Sequence, residues 1–308
     1  MVATTREEAV KFHQEAKTIL SSGGFNLREW TTNDSPVYQK INSDRPFEER
    51  ATLKVLGLEW NRMEDMLGFP PFRHPAIARL TATKRDVASV THSVFDPLGL
   101  LSPVTVAAKI LSQQLWLEKY DWDEPLPSSI MENWIKIRHD IEKALQFSID
   151  RQYFHHDGTI KMVHVFVDAS TKAFGATVFF SNGVKSSLAV AKDKVAPLKK
   201  LTLPNLELDA ALLGARLLDT VLKAFPDVHP PVTVRMWSDS QDVLYWLISK
   251  KKLPVFVSNR VKLINNFAAQ HDATWSCCPT AENPADLLTR GIPAEIFLSS
   301  SLWIAGPA

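Results

Sequence analysis

The apolar positions of the first half of the chain recur mostly every three or four residues, and those of the second half switch between that period and strict alternation. Thr5, followed three residues later by Glu8, opens a capping-box pattern, and Ala9, Phe12, Ala16, Ile19 and Leu20 then follow at helical spacing up to Gly23-Gly24. Phe25, Leu27 and the stretch to Trp30 read as a strand, and the polar segment Thr31 to Glu49 as a surface connection. Two short apolar runs, Leu53 to Trp60 and Met66 to Phe69, flank Asn61 to Asp65 and predict a hairpin. Helices are predicted over Thr83 to Val94, about Val104 to Tyr120, and Ile130 to Leu145. Asp96-Pro97-Leu98-Gly99 breaks the first of these, and Asp121-Trp122-Asp123-Glu124-Pro125 ends the second.

From about Arg151 strands and helices alternate. Val163, Val165 and Val167 interleave with His164, Phe166 and Asp168, and Ala176 to Phe180 forms a second strand-like run. The helix predicted from Pro204 to Phe225 buries Leu206, Ala210, Leu213, Leu217 and Val221 on one face. Val232, Val234 and Met236 mark another strand, Ser240 to Lys250 a helix, Arg260 to Phe267 a further helix, and Ala273 to Cys278 the last strand. This succession indicates a mixed α/β domain.

Composition narrows the class. With 45% hydrophobic and 22% charged residues among 308, the chain has the apolar content for a packed core, and disorder is excluded as its general state. The longest apolar candidate, Leu98 to Leu111, is interrupted by Ser102, Pro103 and Lys109 and reads as a buried segment, so no membrane partner is expected. No basic region followed by an apolar stretch opens the chain, so no secretory signal is expected. The two cysteines, Cys277 and Cys278, are adjacent and point to opposite faces of a strand, which disfavours a disulfide or a shared zinc site. An intracellular location, cytoplasmic or nuclear, is the expectation. The net charge of +1 hides an asymmetry. Residues 1–150 hold 18 Lys and Arg against 21 Asp and Glu, whereas residues 151–308 hold 17 against 13. The basic second half is compatible with a nucleic-acid partner.

Four acids stand at element ends in that half: Asp168 after the Val163–Val167 strand, Glu207 in the first turn of the Pro204 helix, Asp239 between strand and helix, and Asp286 after Asn283-Pro284-Ala285. Each alone has a structural explanation, since acids suit helix N-termini and Asp239 or Asn283 can serve as a cap. Asp168 shifts the balance. A carboxylate at a strand end, on the face of Phe166, is costly to bury unless paired or bound to a cation. A cluster of such groups favours a hard cation, Mg²⁺ or Mn²⁺.

The segments Val165-Phe166-Val167-Asp168-Ala169-Ser170, Leu203-Pro204-Asn205-Leu206-Glu207-Leu208, Trp237-Ser238-Asp239-Ser240-Gln241 and Glu282-Asn283-Pro284-Ala285-Asp286-Leu287-Leu288-Thr289-Arg290-Gly291 together resemble the ribonuclease H region of BEL/Pao-type retrotransposon polyproteins. Phe95 to Pro103 and the helix through Gln114-Leu115-Trp116 are similar to the connecting region of those polyproteins. The first helix, Gly23-Gly24-Phe25 and Val55 to Trp60 resemble the last palm helix and primer-grip hairpin of a reverse transcriptase, and the Thr83 helix is thumb-like. The resemblance implies three regions: a palm end over 1–75, a thumb and connection region over 76–150, and a ribonuclease H-like domain over 151–308 with a mixed five-stranded sheet and flanking helices. The polymerase Tyr-x-Asp-Asp motif does not occur in the chain and is expected upstream of Met1, so no polymerase activity is expected.

The implied activity is hydrolysis of RNA in RNA–DNA hybrids. Two Mg²⁺ or Mn²⁺ ions about 4 Å apart would be held by Asp168, Glu207, Asp239 and Asp286, with Asp168 bridging both. The implied partners are the hybrid and the remainder of a retroelement polyprotein. Lys250-Lys251-Lys252, extended by Arg260 and Lys262, is a candidate phosphate-contacting patch, and a solvated helix end explains the same lysines equally well. The chain departs from many ribonucleases H in having no His between Cys278 and Asp286. His271 precedes the last strand, and His164 is read as a sheet histidine rather than a catalytic one. The alternative function is a non-catalytic module that binds a template–primer hybrid. An aspartic peptidase is disfavoured, because Asp157-Gly158-Thr159 has the wrong order for its motif.

Overall fold

The computed structural model describes residues 3, 5–27, 30–42, 52–154, 159–225 and 232–307. Asp157-Gly158 and residues 43–49 of the expected surface connection lie outside them. The chain forms two compact units, Met1–Phe69 with Ser148–Arg151, and Pro70–Phe147 with Gln152–Ala308.

In the first unit α1 (Arg6–Ser22) begins at Thr5, whose hydroxyl accepts the Glu8 N–H at 3.1 Å as the capping pattern predicts. The strand expected from Phe25 does not form in the described part of that stretch; instead Trp30 meets His13 of α1 edge to face, centroids 4.5 Å apart. The polar connection contains a helix, α2 (Ser35–Ile41). Asp34 caps it by accepting from Val37 N–H at 2.9 Å, Pro36 occupies its first turn, and Val37 and Tyr38 are buried. Val37, Tyr38 and Ile41 in an otherwise polar run are too few to establish a helical period. The run from Leu53 folds back on itself into β1 (Thr52–Val55) and β2 (Leu58–Asn61), because Leu56 and Gly57 both take positive φ, the twist a two-residue hairpin requires. β3 (Met66–Gly68) pairs with β2 and later with β4 (Ser148–Asp150), giving the order β1-β2-β3-β4. Asp65 ties this sheet together, accepting from Arg151 Nε at 2.6 Å and Trp60 Nε1 at 2.9 Å.

The second unit opens with α3 (Lys84–Ser93), where Thr83 and Asp86 form a complete capping box, followed by α4 (Ser102–Leu117) and α5 (Ser128–Ala144). Its sheet has five strands: β5 (Met162–Ala169), β6 (Ala173–Ser181), β7 (Ser186–Val195), β8 (Thr233–Ser238) and β9 (Ala273–Cys277). The order is β7-β6-β5-β8-β9, antiparallel from β7 to β5 and parallel from β5 to β9. β7 has no counterpart in the sequence reading, because its alanines, serines and lysines obscure the alternation of an edge strand. The helices α6 (Leu203–Ala224), α7 (Gln241–Ile248) and α8 (Val255–Gln270) complete the core with Val163, Val165 and Val167. α8 starts five residues before Arg260, since Pro254 is tolerated at its N-terminus and Val257 and Ile264 supply its buried face. Gly214 lets α6 close on the sheet; a Cβ there would stand 2.5 Å from Val167 Cγ1.

The connecting segment belongs to this second unit. The Ala191 N–H of β7 donates to Leu98 O at 2.8 Å, Lys109 of α4 pairs with buried Asp193 at 2.7 Å, and Trp303 Nε1 donates to Leu100 O at 2.9 Å. Short helices α9 (Leu287–Arg290), α10 (Ala294–Leu298) and α11 (Ser301–Ala305) finish the chain. Among the described residues no helix is long and apolar enough to cross a membrane.

Candidate active site

Parallel pairing of β5 with β8 sets the site. The register aligns Val167 with Ser238, so the residues that follow, Asp168 and Asp239, emerge side by side at the same sheet edge. Asp168 is only 7% exposed. Asp239 is not a helix cap; Ser240 caps α7, accepting the Val243 N–H at 3.3 Å. One oxygen of Asp239 instead accepts from Thr280 Oγ1 at 2.8 Å.

Asp286 ends a 3-10 turn (Pro284–Asp286) that is fastened to β5. The buried Asn283 amide donates to Val167 O at 3.0 Å, and its Oδ1 accepts the Ala285 N–H at 3.1 Å. On the far side Ser170 Oγ donates to Thr289 O at 2.7 Å. Leu288 lies against Gly175, opposite Asp168 in the β5–β6 register, where any Cβ would be 2.6 Å from Leu288 Cδ1. The Asn-Pro-Ala-Asp string thus works as a clamp, with Asn283 as the cap and Asp286 left free of capping duty. Glu207 sits in the second turn of α6, not the first, because the helix starts at Leu203. Its Oε2 accepts from Ser240 Oγ.

The electrostatics follow from this crowding. Burial, then the negative charges of Asp239 and Asp286, push Asp168 up to about 8, and Asp286 also lies within hydrogen-bond reach of it. Burial raises Glu207 as well; the Ser240 hydroxyl opposes that shift, and the charges of Asp239 and Asp242 add to it. Such mutual repulsion is what a divalent cation relieves, and an all-carboxylate donor set suits Mg²⁺ or Mn²⁺. The residues therefore fit a hard cation in kind. Among the described residues, however, no three His, Cys, Asp or Glu side chains are already arranged to hold one.

The remaining candidates separate. Lys251, Lys252 and Lys262, with Ser249, Ser258 and Asn259, line a groove of about 450 Å³, and Lys250 lies between Ser249 and Lys251. Arg260 is engaged otherwise, pairing with Asp209 at 2.5 Å and lying 3.4 Å above the Phe256 ring. His164 accepts from Trp237 Nε1 at 3.1 Å, and burial, then Arg235, lowers its pKa, which keeps it a neutral sheet residue. His271 is bound to Asp219 at 3.0 Å. The sequence reading missed Ser240 and Thr280 as partners of the carboxylates. Ser240 was detectable as a cap candidate before Gln241-Asp242, whereas nothing local marks Thr280, whose partner is 41 residues away.

The Pao retrotransposon-like RNaseH-like domain family matches residues 83–240, a span that includes Asp168, Glu207 and Asp239 and stops before Asp286. The foamy viral protease-reverse transcriptase dRH, solved in complex with double-stranded DNA, superposes with a TM-score of 0.51 at 14% identity, over 91% of this chain and 44% of that one. This chain therefore spans less than half of that protein. The N-terminal RNase H domain of a Mycobacterium tuberculosis protein, solved as a fusion with maltose binding protein, gives a TM-score of 0.34 at 17% identity, over 42% of this chain and 91% of that one. RNase H1 from Halobacterium salinarum gives 0.32 at 17% identity, over 41% and 93%. No curated protein matches. With half of the sequence matched and the mixed five-stranded sheet in place, the chain belongs to the Pao retrotransposon-like RNaseH-like domain family.

Proposed function

We propose that this chain is a divalent-metal-dependent endoribonuclease that hydrolyses the RNA strand of RNA–DNA hybrids, with Asp168, Glu207, Asp239 and Asp286 as its catalytic carboxylates and two Mg²⁺ or Mn²⁺ ions as cofactor. The observation that carries this reading is the gathering of Asp239 and Asp286 around Asp168, whose burial, together with those neighbouring charges, pushes it up to about 8. Helix capping does not account for it, since Ser240 and Asn283 do the capping.

When bound, divalent cations supply Lewis-acid activation of water and neutralisation of charge on the scissile phosphate. The protein's part is placement. Asp168 and Asp239 are fixed by strand register, Asp286 by the Asn283 clamp, and Glu207 by the close approach of α6 at Gly214. Lys250, Lys251, Lys252 and Lys262 contact backbone phosphates of the hybrid; Arg260 contributes less, because Asp209 already neutralises it. We read residues 1–75 and 76–150 as palm-end and thumb–connection segments of the same retroelement polyprotein, acting on hybrid inside the cell.

The test is cleavage of a labelled RNA–DNA hybrid with Mg²⁺ or Mn²⁺, comparing the protein with Asp239→Asn. Metal-dependent cleavage that the substitution reduces by roughly a hundredfold or more is expected, as for loss of a principal charge-stabilising group. Equal rates would sink the nuclease reading and leave a hybrid-binding module.

A further inference from the structure

Two of the four carboxylates are held by hydroxyl groups. Ser240 Oγ accepts the Val243 N–H at 3.3 Å as the cap of α7, and it donates its single proton to Glu207 Oε2. Thr280 Oγ1 donates to Asp239 at 2.8 Å. The two arrangements differ. Asp239 stands beside Asp168 through strand register, so its bond to Thr280 leaves it within the group. Glu207 comes from a helix, and Ser240, one residue beyond Asp239, draws its carboxylate toward the start of α7. No three acidic side chains among the described residues make an ion cage in this arrangement.

We propose that Ser240 is a positioning residue that latches Glu207 through Oε2 in the cation-free state, so that a divalent cation binding at that oxygen weakens or displaces the bond from the Ser240 hydroxyl. The inference rests on the nuclease reading above and adds a step to it. Hydroxyl and cation both draw on the charge of the same carboxylate oxygen, so each weakens the other's hold on it. The hydrogen bond stabilises the cation-free state, lowers cation affinity, and spares the cluster the full repulsion of a fourth inward charge. When the hydroxyl is displaced its cap bond to Val243 is kept, so α7 stays in place during the exchange.

The experiment is calorimetric titration of Mn²⁺ into the full chain, with thermal melts to establish folding. Ser240→Ala removes the proton donor and the cap together; Ser240→Gly removes the donor at a cap cost of only a few tenths of a kcal/mol. Both variants are expected to bind Mn²⁺ more tightly by roughly tenfold, the scale of one charge-assisted hydrogen bond. In a Glu207→Gln background the same Ser240→Gly change is expected to have no effect on affinity. Unchanged or weaker binding in folded Ser240→Gly overturns the latch; weaker binding would mean that the cation takes Oε1 while Ser240 keeps Oε2. If the unsubstituted protein shows no Mn²⁺ binding that Asp168→Asn abolishes, the nuclease reading fails and the latch with it. Binding that Asp168→Asn abolishes but Ser240→Gly leaves alone overturns the latch only.

Discussion

Asn283 is 1% exposed, and its side chain uses both ends: the amide donates to Val167 O and the carbonyl accepts the Ala285 N–H. Its replacement by Ala removes both hydrogen bonds from a buried site, worth about 1–3 kcal/mol for each backbone group that finds no other partner, and releases the turn that carries Asp286. Asn283→Ala is therefore expected to lower stability by about 2 kcal/mol and to cut hybrid cleavage at least tenfold, as read by denaturant melts and single-turnover rates; wild-type cleavage would show that Asp286 needs no clamp. Asp168 gives a pH prediction. Its folded value of about 8 lies above that of an ordinary carboxylate near 4, so the folded state holds the proton more tightly than the unfolded chain does. Stability in chelator should thus fall as pH rises from about 4 to 8, and Asp168→Asn should flatten that fall. Divalent cations compete with the same proton, so their affinity should climb over the same window. A melting profile with the same pH slope in both proteins would contradict the raised proton affinity of Asp168.

Between elements, glycines permit close backbone approach. Gly99 takes φ +69, and a Cβ there would lie 2.0 Å from Ala191 O, a backbone atom of β7 that has no freedom to retreat. The left-handed conformation alone costs Ala about 1–2 kcal/mol. Forcing the backbones apart adds about 1–3 kcal/mol more. Gly99→Ala is expected to destabilise the unit that contains β7 by about 3 kcal/mol, measured by calorimetry. A melt within 1 kcal/mol of the parent protein (roughly 2–4 °C for this size) would show that the segment before α4 is not docked on β7. Local patterning is weakest in short elements and in edge strands. β7 shows no clear alternation because five of its ten residues are Ser, Lys or Asp, yet it is held by a partner strand on one side and by Leu98 on the other. The α2 helix, seven residues long, buries only Val37 and Tyr38 and is too short for a period to show.

Across the molecule the charge is uneven, with 17 Lys and Arg against 13 Asp and Glu in residues 151–308, although four of those acids are the proposed catalytic group. On the proposed function, a surface that meets a polyphosphate needs cations apart from that group, and the groove lined by Lys251, Lys252 and Lys262 is the candidate for it. Replacing Lys250, Lys251 and Lys252 together by Ala is expected to weaken hybrid binding and to lower the slope of log K against log salt by up to about 3. An unchanged slope in a fluorescence-anisotropy titration would assign the lysines to a solvated helix end. In the same unit, Asp193 of β7 is almost fully buried and is satisfied by Lys109 of α4, so helix and sheet share one electrostatic contact as well as the Trp303 anchor.

The sequence by itself determined the elements with strong periods, the alternation of β5 and the apolar face of α6, since side-chain spacing along a strand or helix is a local property. It also singled out Asp168, because a carboxylate at the end of an apolar strand conflicts with burial wherever that strand lies. What only the tertiary structure decided was the company this residue keeps. Parallel register set Asp239 beside it, and the Asn283 bond to Val167 O, across 116 residues, brought Asp286. The same packing turned Glu207 toward Ser240, a pairing of residues 33 positions apart. No local pattern encodes such pairings, because they arise where separate elements bury their apolar faces against one sheet.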